Sequence, residues 1–200
     1  MPEVQTLLAA SAARHSHLCP RQVLGVRAGL AAGAFLGLDL PRHDKRLLVI
    51  LETDGCFADG IEVATGATVG HRTLRIEDYG KTAATFVDTH TGRAVRLIPA
   101  PGVRQAAHSY APLADSLYTA QLHGYQSMPD AELFAITEVL LNPPLEAILS
   151  QHGLKAICAE CGEEIINQRE VLRAGRTLCR SCAGQAYYTP APKPIVSKKV

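Results

Sequence analysis

The sequence predicts an α+β protein: a helix–strand–helix–three-strand core, a helical connection and a small C-terminal zinc ribbon. Three observations predict this class. The run Leu47-Leu48-Val49-Ile50-Leu51 is apolar throughout and of strand length, which indicates a central strand buried on both faces. Helical periodicity flanks this run, and alternating segments follow it. Two closely spaced CxxC pairs lie near the end of the chain and predict a metal-stabilised module.

Local patterns support each element of the core. Apolar residues recur at helical spacing near the start of the chain, and Pro20 stands where a first helical residue is often found. Gly66 provides a C-terminal stop for a third helix, and the turn 89–92 predicts a hairpin. The predicted elements are helices over 3–14 and from Pro20 to Phe35, a turn over 39–44, the strand 47–51, a helix over 57–65, and strands at 74–76, 85–87 and 94–97.

Beyond the hairpin the sequence predicts a connection and a separate module. Pro99, Pro101 and Gly102 mark a linker, and helices are expected over 112–123 and 130–141, the second begun by Pro129-Asp130 and stopped by 142–144. The predicted organisation is a core domain over 1–100, a helical connection over 101–154, a four-cysteine ribbon over 155–188 and a flexible tail over 189–200.

The charge balance excludes some partners. The 200 residues carry 20 Lys+Arg against 19 Asp+Glu, a net charge of +1, whereas proteins that grip phosphate backbones usually show a basic excess. No segment reaches the roughly 18 apolar residues that span a bilayer, and Glu3 stands where a signal peptide would carry a basic residue. We therefore expect a cytoplasmic protein without membrane partners, and we do not expect nucleic-acid binding.

Four of the six cysteines form one pattern. Cys158-x2-Cys161 and Cys179-x2-Cys182 are separated by 17 residues, a spacing typical of four-cysteine zinc sites. The alternatives are two redox CxxC pairs or an iron centre, and the spacing favours structural zinc. Four protein ligands leave no open position, so this site is not expected to be catalytic.

The other two cysteines lie upstream with a histidine. His17-x-Cys19 and Asp54-Gly55-Cys56 each precede a predicted helix, where outward-pointing amides favour the thiolate over the thiol. These residues are therefore candidate metal ligands or reactive groups. The alternative is that both thiols are small buried hydrophobes and the histidine is a solvated loop residue. Spacing alone favours this alternative.

Several separated motifs occur in an order typical of one known family. They are HSHLCP at 15–20, TDGCFADGIEVATGATVG at 53–70, DYGK at 78–81, CAECGEEI at 158–165 and LCRSCAGQAYY at 178–188. The first three resemble the E-subunit family of formylmethanofuran dehydrogenase, and the last two resemble the zinc-ribbon tail of many members. The resemblance implies an α+β core with one mixed sheet. It also implies a metal-binding or redox accessory role beside a molybdenum or tungsten oxidoreductase of one-carbon metabolism, and a homodimer.

The same resemblance implies a second metal site. His17, Cys19 and Cys56 occupy the family's metal-pocket positions, with a second metal ion, zinc, as the expected occupant, and His15, Asp54, Asp59 and Lys81 occupy matching positions nearby. The chain departs from the family pattern at Ser16, Arg21, Ala67, His71 and Arg72. Alanine at 67 removes a possible third thiol, which favours a one-His, two-Cys site with water or His71 as fourth ligand.

Three functions follow from these observations. The first is a zinc-binding accessory protein of the kind that the family resemblance implies. The second is a metal-dependent enzyme, in which the open His/Cys/Cys site acts on a small anionic substrate, Asp54 or Asp59 serves as general base and Lys81 as an electrostatic clamp. The third, a zinc-ribbon regulator that binds nucleic acid, is disfavoured by the net charge.

Overall fold

The computed structural model describes residues 3–149 and 153–191, and the chain divides into two compact units, one up to Leu145 and one from Glu146. The first unit holds six helices and one five-stranded sheet. Its helices are α1 (Val4–Ala13), α2 (Pro20–Leu36), α3 (Cys56–Thr65), α4 (Val103–Tyr110), α5 (Leu117–Ser127) and α6 (Asp130–Leu133). Its strands are β1 (Leu47–Leu51), β2 (Leu74–Ile76), β3 (Ala84–Asp88), β4 (Ala94–Pro99) and β5 (Phe134–Val139).

The sheet is mixed and has the strand order β2-β1-β3-β4-β5. Strand β1 runs parallel to β2 and antiparallel to β3, so that Val49 is registered with both Leu74 and Phe86. The three side chains share the main core with residues of α2 and α3, and each is at most 2% exposed. The predicted α+β class with one mixed sheet is confirmed.

The helix boundaries follow the sequence signals closely. Pro20 is the first residue of α2, where its missing amide hydrogen costs nothing, and Gly66 ends α3 in a left-handed conformation with φ 73°. The predicted strand 47–51 and the hairpin strands are present as β1, β3 and β4. Local propensity and capping therefore account for the first hundred residues.

One predicted helix is wrong. The segment 130–141 forms only the four-residue helix α6 before it becomes β5, which pairs antiparallel with β4. The helix-start pattern at Asp130 is real, but Ile136, Thr137 and Val139 are β-branched and favour a strand once a free sheet edge is available. Helix α4, just after the expected linker, has no counterpart in the prediction. The segment 101–154 therefore contributes a strand to the core sheet as well as helices.

Helices α2 and α3 cross in direct backbone contact. A Cβ atom added at Gly60 of α3 would lie 2.3 Å from the Gln22 oxygen and 2.8 Å from the Val26 nitrogen. One added at Gly25 of α2 would lie 2.3 Å from the Phe57 oxygen. Only glycine permits this approach, and the approach places the N-terminal ends of the two helices side by side.

The second unit begins within the short helix α7 (Leu145–Ile148) and contains two hairpins followed by a helical turn over Ser181–Gln185. A small core of Cys158, Ile165, Leu178 and Ala183 holds it together. The strands are β6 (Lys155–Ile157), β7 (Glu164–Ile166), β8 (Val171–Arg173) and β9 (Arg176–Leu178).

Two further expectations concern the ends of the chain and the membrane. The predicted tail over 189–200 lies, from residue 192 onward, outside the described residues. Within the described ranges, no helix combines the length and apolar character needed to cross a bilayer.

Candidate metal centre

Four sulfur atoms converge in the second unit. The ligating atoms of Cys158, Cys161, Cys179 and Cys182 all lie within 4.8 Å of one another, and the Cys161 and Cys179 sulfurs are 3.9 Å apart. A tetrahedral site with Zn–S bonds of about 2.3 Å requires sulfur–sulfur separations of about 3.8 Å. Across residues 3–149 and 153–191, no other group of three or more His, Cys, Asp or Glu ligands is gathered in this way. The four thiols therefore fit a structural zinc ion, as predicted.

The backbone of the ribbon is arranged around these sulfurs. The first pair lies in the turn between β6 and β7, where Gly162 has φ 77° and its amide donates to the Cys158 carbonyl at 3.0 Å. The Cys179 amide donates to the Cys158 sulfur at 3.3 Å, and the Cys182 amide donates to the Cys179 sulfur at 3.4 Å. Amides that donate to sulfur stabilise the thiolates that a metal requires.

The pKa values within the cluster show why it suits a cation. Backbone amides, chiefly that of Cys161, hold the pKa of the Cys158 thiol at about 6. The neighbouring thiols, first that of Cys179, and burial raise the pKa of Cys182 far above its ordinary value, because thiolates so close together repel one another. A divalent cation among the sulfurs offsets this repulsion.

Two thiols also meet in the first unit. Cys19 is the extended residue that caps α2, and Cys56 is the first residue of α3, so the crossing of the two helices brings them together. The Gln22 side chain fixes the approach to α2: it accepts from the Cys19 amide at 2.8 Å and donates to the Ser11 carbonyl at 2.9 Å. The predicted position of both thiols at helix starts is confirmed.

The predicted acidity of Cys56 is wrong in direction. Burial, followed by the adjacent Cys19 thiol, raises the pKa of Cys56 above its ordinary value. The favourable amides of the helix start are outweighed because two thiols share a partly desolvated corner of the protein. The sequence pattern indicated the amides but not the neighbouring thiol.

The histidines near this pair occupy different surroundings. His17 is exposed and lines the same cavity as Cys19 and Cys56, and its ring centroid is 6.1 Å from that of His15. His15 instead contacts the carboxylate of Asp59 at 2.9 Å, while the neighbouring Arg14 pairs with Glu62 one turn farther along α3. These two side-chain contacts attach the segment that carries His17 to α3.

The remaining predicted residues are distributed as follows. Lys81 lines the cavity, whereas Asp54 is exposed and, like Asp59, does not belong to the lining. His71, proposed as a fourth ligand, is exposed, and its ring centroid is 6.5 Å from that of His43, away from the cavity lining. Ala67 is 2% exposed and packs in the main core.

The cavity next to the two thiols has a volume of about 1010 Å³. Sequence reasoning missed most of its polar lining. Arg104 lies on the unpredicted helix α4, and Arg96 is joined to Glu52 by two hydrogen bonds of 2.5 and 2.7 Å. Tyr125 comes from α5, so no local motif unites these residues.

Comparisons with known proteins agree with this architecture. The model of the FmdE family, described as "Molybdenum formylmethanofuran dehydrogenase operon", matches residues 14–149, and that of the prokaryotic dksA/traR C4-type zinc finger matches residues 153–188. The crystal structure of a tungsten formylmethanofuran dehydrogenase FmdE-like protein from Syntrophus aciditrophicus is similar in fold, with a TM-score of 0.57 and 20% identity over 93% of this chain and 95% of that one.

A curated relative is more similar in sequence but much longer. A probable S-adenosyl-L-methionine-binding protein from Archaeoglobus fulgidus is 37% identical over 95 residues, which make up 46% of this chain. The match covers 26% of that protein, so the chain spans about a quarter of its length.

Proposed function

Because the chain belongs to the FmdE family, we propose that it is an accessory metal protein whose first unit binds a second metal ion, zinc, through Cys19, Cys56 and His17. The observation that carries the proposal is the meeting of the Cys19 and Cys56 thiols at the N-terminal ends of two helices in backbone contact. Two thiolates and an imidazole form a donor set that zinc accepts.

The surroundings of the thiols support this role. Cys19 is 8% exposed and Cys56 is half-buried, so both are shielded, yet both border a cavity through which an ion can enter. His17 follows two residues after His15, which contacts Asp59, and its exposed side chain lines the same cavity as the thiols. A zinc ion with three protein ligands would supply Lewis-acid chemistry at this place.

Metal counting tests the proposal. Wild-type protein purified with zinc should contain two zinc ions per chain by elemental analysis. Cys56→Ser and Cys19→Ser should each contain one, retained by the ribbon. Cys182→Ser is the matched control, because it removes a thiol from the other cluster and should lose the ribbon's ion instead. A wild-type count of one, or an unchanged count in Cys56→Ser, rejects the second site.

An accessory role implies partners and a compartment. We propose a cytoplasmic homodimer that serves a molybdenum or tungsten oxidoreductase of one-carbon metabolism. Support comes from the six free cysteines, which suit a reducing compartment, and from large apolar side chains left exposed on the first unit, among them Leu113 and Leu140, each 98% exposed. Light scattering after size-exclusion chromatography should give twice the chain mass of 21.4 kDa; a monomer would contradict the dimer.

The cavity favours a second candidate function, a metal-dependent enzyme acting on an anionic substrate. It gives a ligand access to the thiols and contains Lys81, which can contact a negative charge. Neither carboxylate suggested as a general base supports this function, because Asp59 is engaged by His15 and Asp54 lies outside the lining. Turnover that requires zinc and disappears in Cys56→Ser would favour the enzyme over the accessory role.

A further inference from the structure

The cavity beside Cys19 and Cys56 is of a size that takes an organic molecule. Its volume of about 1010 Å³ lies at the upper end of the roughly 300–1,000 Å³ usual for small-molecule sites. The start of α2, the loop before β3, the end of β4 and helices α4 and α5 all contribute lining residues. A metal ion at the thiols would occupy only one edge of this space, so most of the cavity needs another explanation.

The lining is strongly cationic. Arg21, Lys81, Arg96 and Arg104 line the cavity, and none of its lining residues is an aspartate or glutamate. Glu52 neutralises Arg96, but the other three form no salt bridge within the described part of the chain. Lys81 lies over the Tyr79 ring, 5.9 Å from its centroid. Since the whole protein carries a net charge of only +1, three cations outside any salt bridge around one cavity do not follow from an overall basic composition.

A tyrosine hydroxyl also reaches this space. Tyr125 is 1% exposed and lines the cavity, and its hydroxyl forms no hydrogen bond within the described residues. Unlike the sealed Ser11 hydroxyl, the Tyr125 hydroxyl is accessible from the cavity. Burial raises the pKa of Tyr125, so the hydroxyl keeps its proton and can donate it. A hydroxyl that forms no hydrogen bond to the protein at a cavity wall is available to a ligand that displaces water.

We propose that the cavity binds a small organic molecule bearing a doubly charged anionic group, a phosphate ester or a dicarboxylate. Arg21, Lys81 and Arg104 hold the anionic group, and the Tyr125 hydroxyl donates a hydrogen bond to the ligand. The remainder of the molecule packs against the apolar wall, which includes Leu24, Ile98 and Val103. This inference goes beyond the second metal ion, because ligand binding requires no metal at the thiols.

Calorimetric titration of the full chain at low salt tests the proposal with defined probes. Phenyl phosphate represents the phosphate ester and phthalate the dicarboxylate, while phenol is the uncharged control. At least one anion should bind and phenol should not. The anion that binds more tightly shows whether the cavity prefers a phosphate ester or a dicarboxylate. If neither anion binds more tightly than phenol, the proposal is overturned.

Substitutions locate the bound anion. Arg104→Gln, Arg21→Gln and Lys81→Gln should each weaken binding about tenfold, as expected when one charged hydrogen bond is lost. Lys45→Gln is the matched control: Lys45 is exposed like Lys81 and lies outside the lining, and the change removes the same charge. If all four variants bind equally well, the anion binds elsewhere and the proposal fails.

The tyrosine provides a second, uncharged test. Tyr125→Phe removes only the hydroxyl, leaves no protein group unpaired and should weaken anion binding severalfold without lowering the melting temperature. Tyr110→Phe is its control, because that hydroxyl donates to Glu132 at 2.6 Å outside the cavity. Protein treated with a chelator should keep anion binding although it has lost its metal ions, so failure of the metal site and failure of the ligand site give different results.

Discussion

Replacement of Gly60 by alanine tests the helix crossing on which the thiol pair depends. The new methyl group would lie 2.3 Å from the Gln22 carbonyl oxygen, whereas ordinary van der Waals contact begins at about 3.4 Å. Helices α2 and α3 must therefore separate by about 1 Å. The Gln22 oxygen and the Val26 nitrogen, which would lie 2.8 Å from the new methyl group, are both backbone atoms, so rotation of a side chain cannot relieve the contact.

The magnitude follows from two opposing effects. Overpacking of a well-filled core costs about 1–3 kcal/mol, and a backbone clash belongs at the upper end of that range. Alanine in a helix is favoured over glycine by about 1 kcal/mol, which offsets part of the cost. We therefore expect Gly60→Ala to lower the free energy of unfolding by about 2 kcal/mol and to weaken zinc binding at the proposed Cys19/Cys56 site.

Urea unfolding, monitored by the circular dichroism signal of the helices, measures this change, because the long helices lie in the first unit. Gly33→Ala, in α2, is the matched control: the nearest atom to its new methyl group is the tip of the Leu40 side chain at 2.8 Å, and the nearest backbone atom, the Leu38 oxygen, is 3.1 Å away rather than 2.3 Å. It should change stability by less than about 1 kcal/mol, because Leu40 can move aside. A Gly60→Ala protein as stable as the wild type would refute the close crossing.

Three further predictions concern the zinc, an ion pair and an arginine. Chelation of zinc should unfold the ribbon and leave the first unit folded, because the ribbon core is only four residues; unchanged protease resistance of residues 153–191 would contradict this. The Arg46 guanidinium lowers the pKa of Asp88, which is 1% exposed, from 3.8 to about 2. This shift contributes about 2 kcal/mol to the free energy of unfolding above pH 4, and the contribution should be lost as the pH falls toward 2. Urea titrations of Asp88→Asn should no longer show this pH dependence. Arg27 donates hydrogen bonds to three carbonyls at the end of α5 and to Asp130. Arg27→Met should therefore lower the free energy of unfolding by about 3 kcal/mol, and Arg27→Lys should lower it by less. Equal losses in the two variants would argue against the multiple hydrogen bonds.

The elements predicted correctly are those whose signals are local. Helix α2 begins at a proline and α3 ends at a glycine, and β1 is a continuous apolar run, so short windows of sequence suffice. Strand β5 fails this condition. Its first residues follow a genuine helix start at Asp130, and only pairing with β4, more than thirty positions earlier in the sequence, makes it a strand.

The same distinction separates the two candidate sites. All four zinc ligands come from two tight turns within one small module, so spacing alone predicts them. The thiol pair required the family resemblance, because Cys19 and Cys56 are brought together by a helix crossing that sequence spacing does not encode. Of the cationic lining, only Lys81 was predicted. Arg21 and Arg104 belong to different helices, and only the packed structure shows that they share a cavity.

Two close backbone contacts set the walls of that cavity, and they act on different chemistry. The contact at Gly60 fixes α2 against α3 and so determines the separation of the thiols. A second contact, at Gly124 of α5, lies where an added Cβ would be 2.4 Å from the Ala107 carbonyl oxygen of α4. It fixes the helix that carries Arg104 against the helix that carries Tyr125. Because the proposed metal ligands Cys19 and Cys56 depend on the first contact, and Arg104 and Tyr125 of the proposed anion site on the second, a substitution at either glycine should affect mainly one of the two sites although both border one cavity.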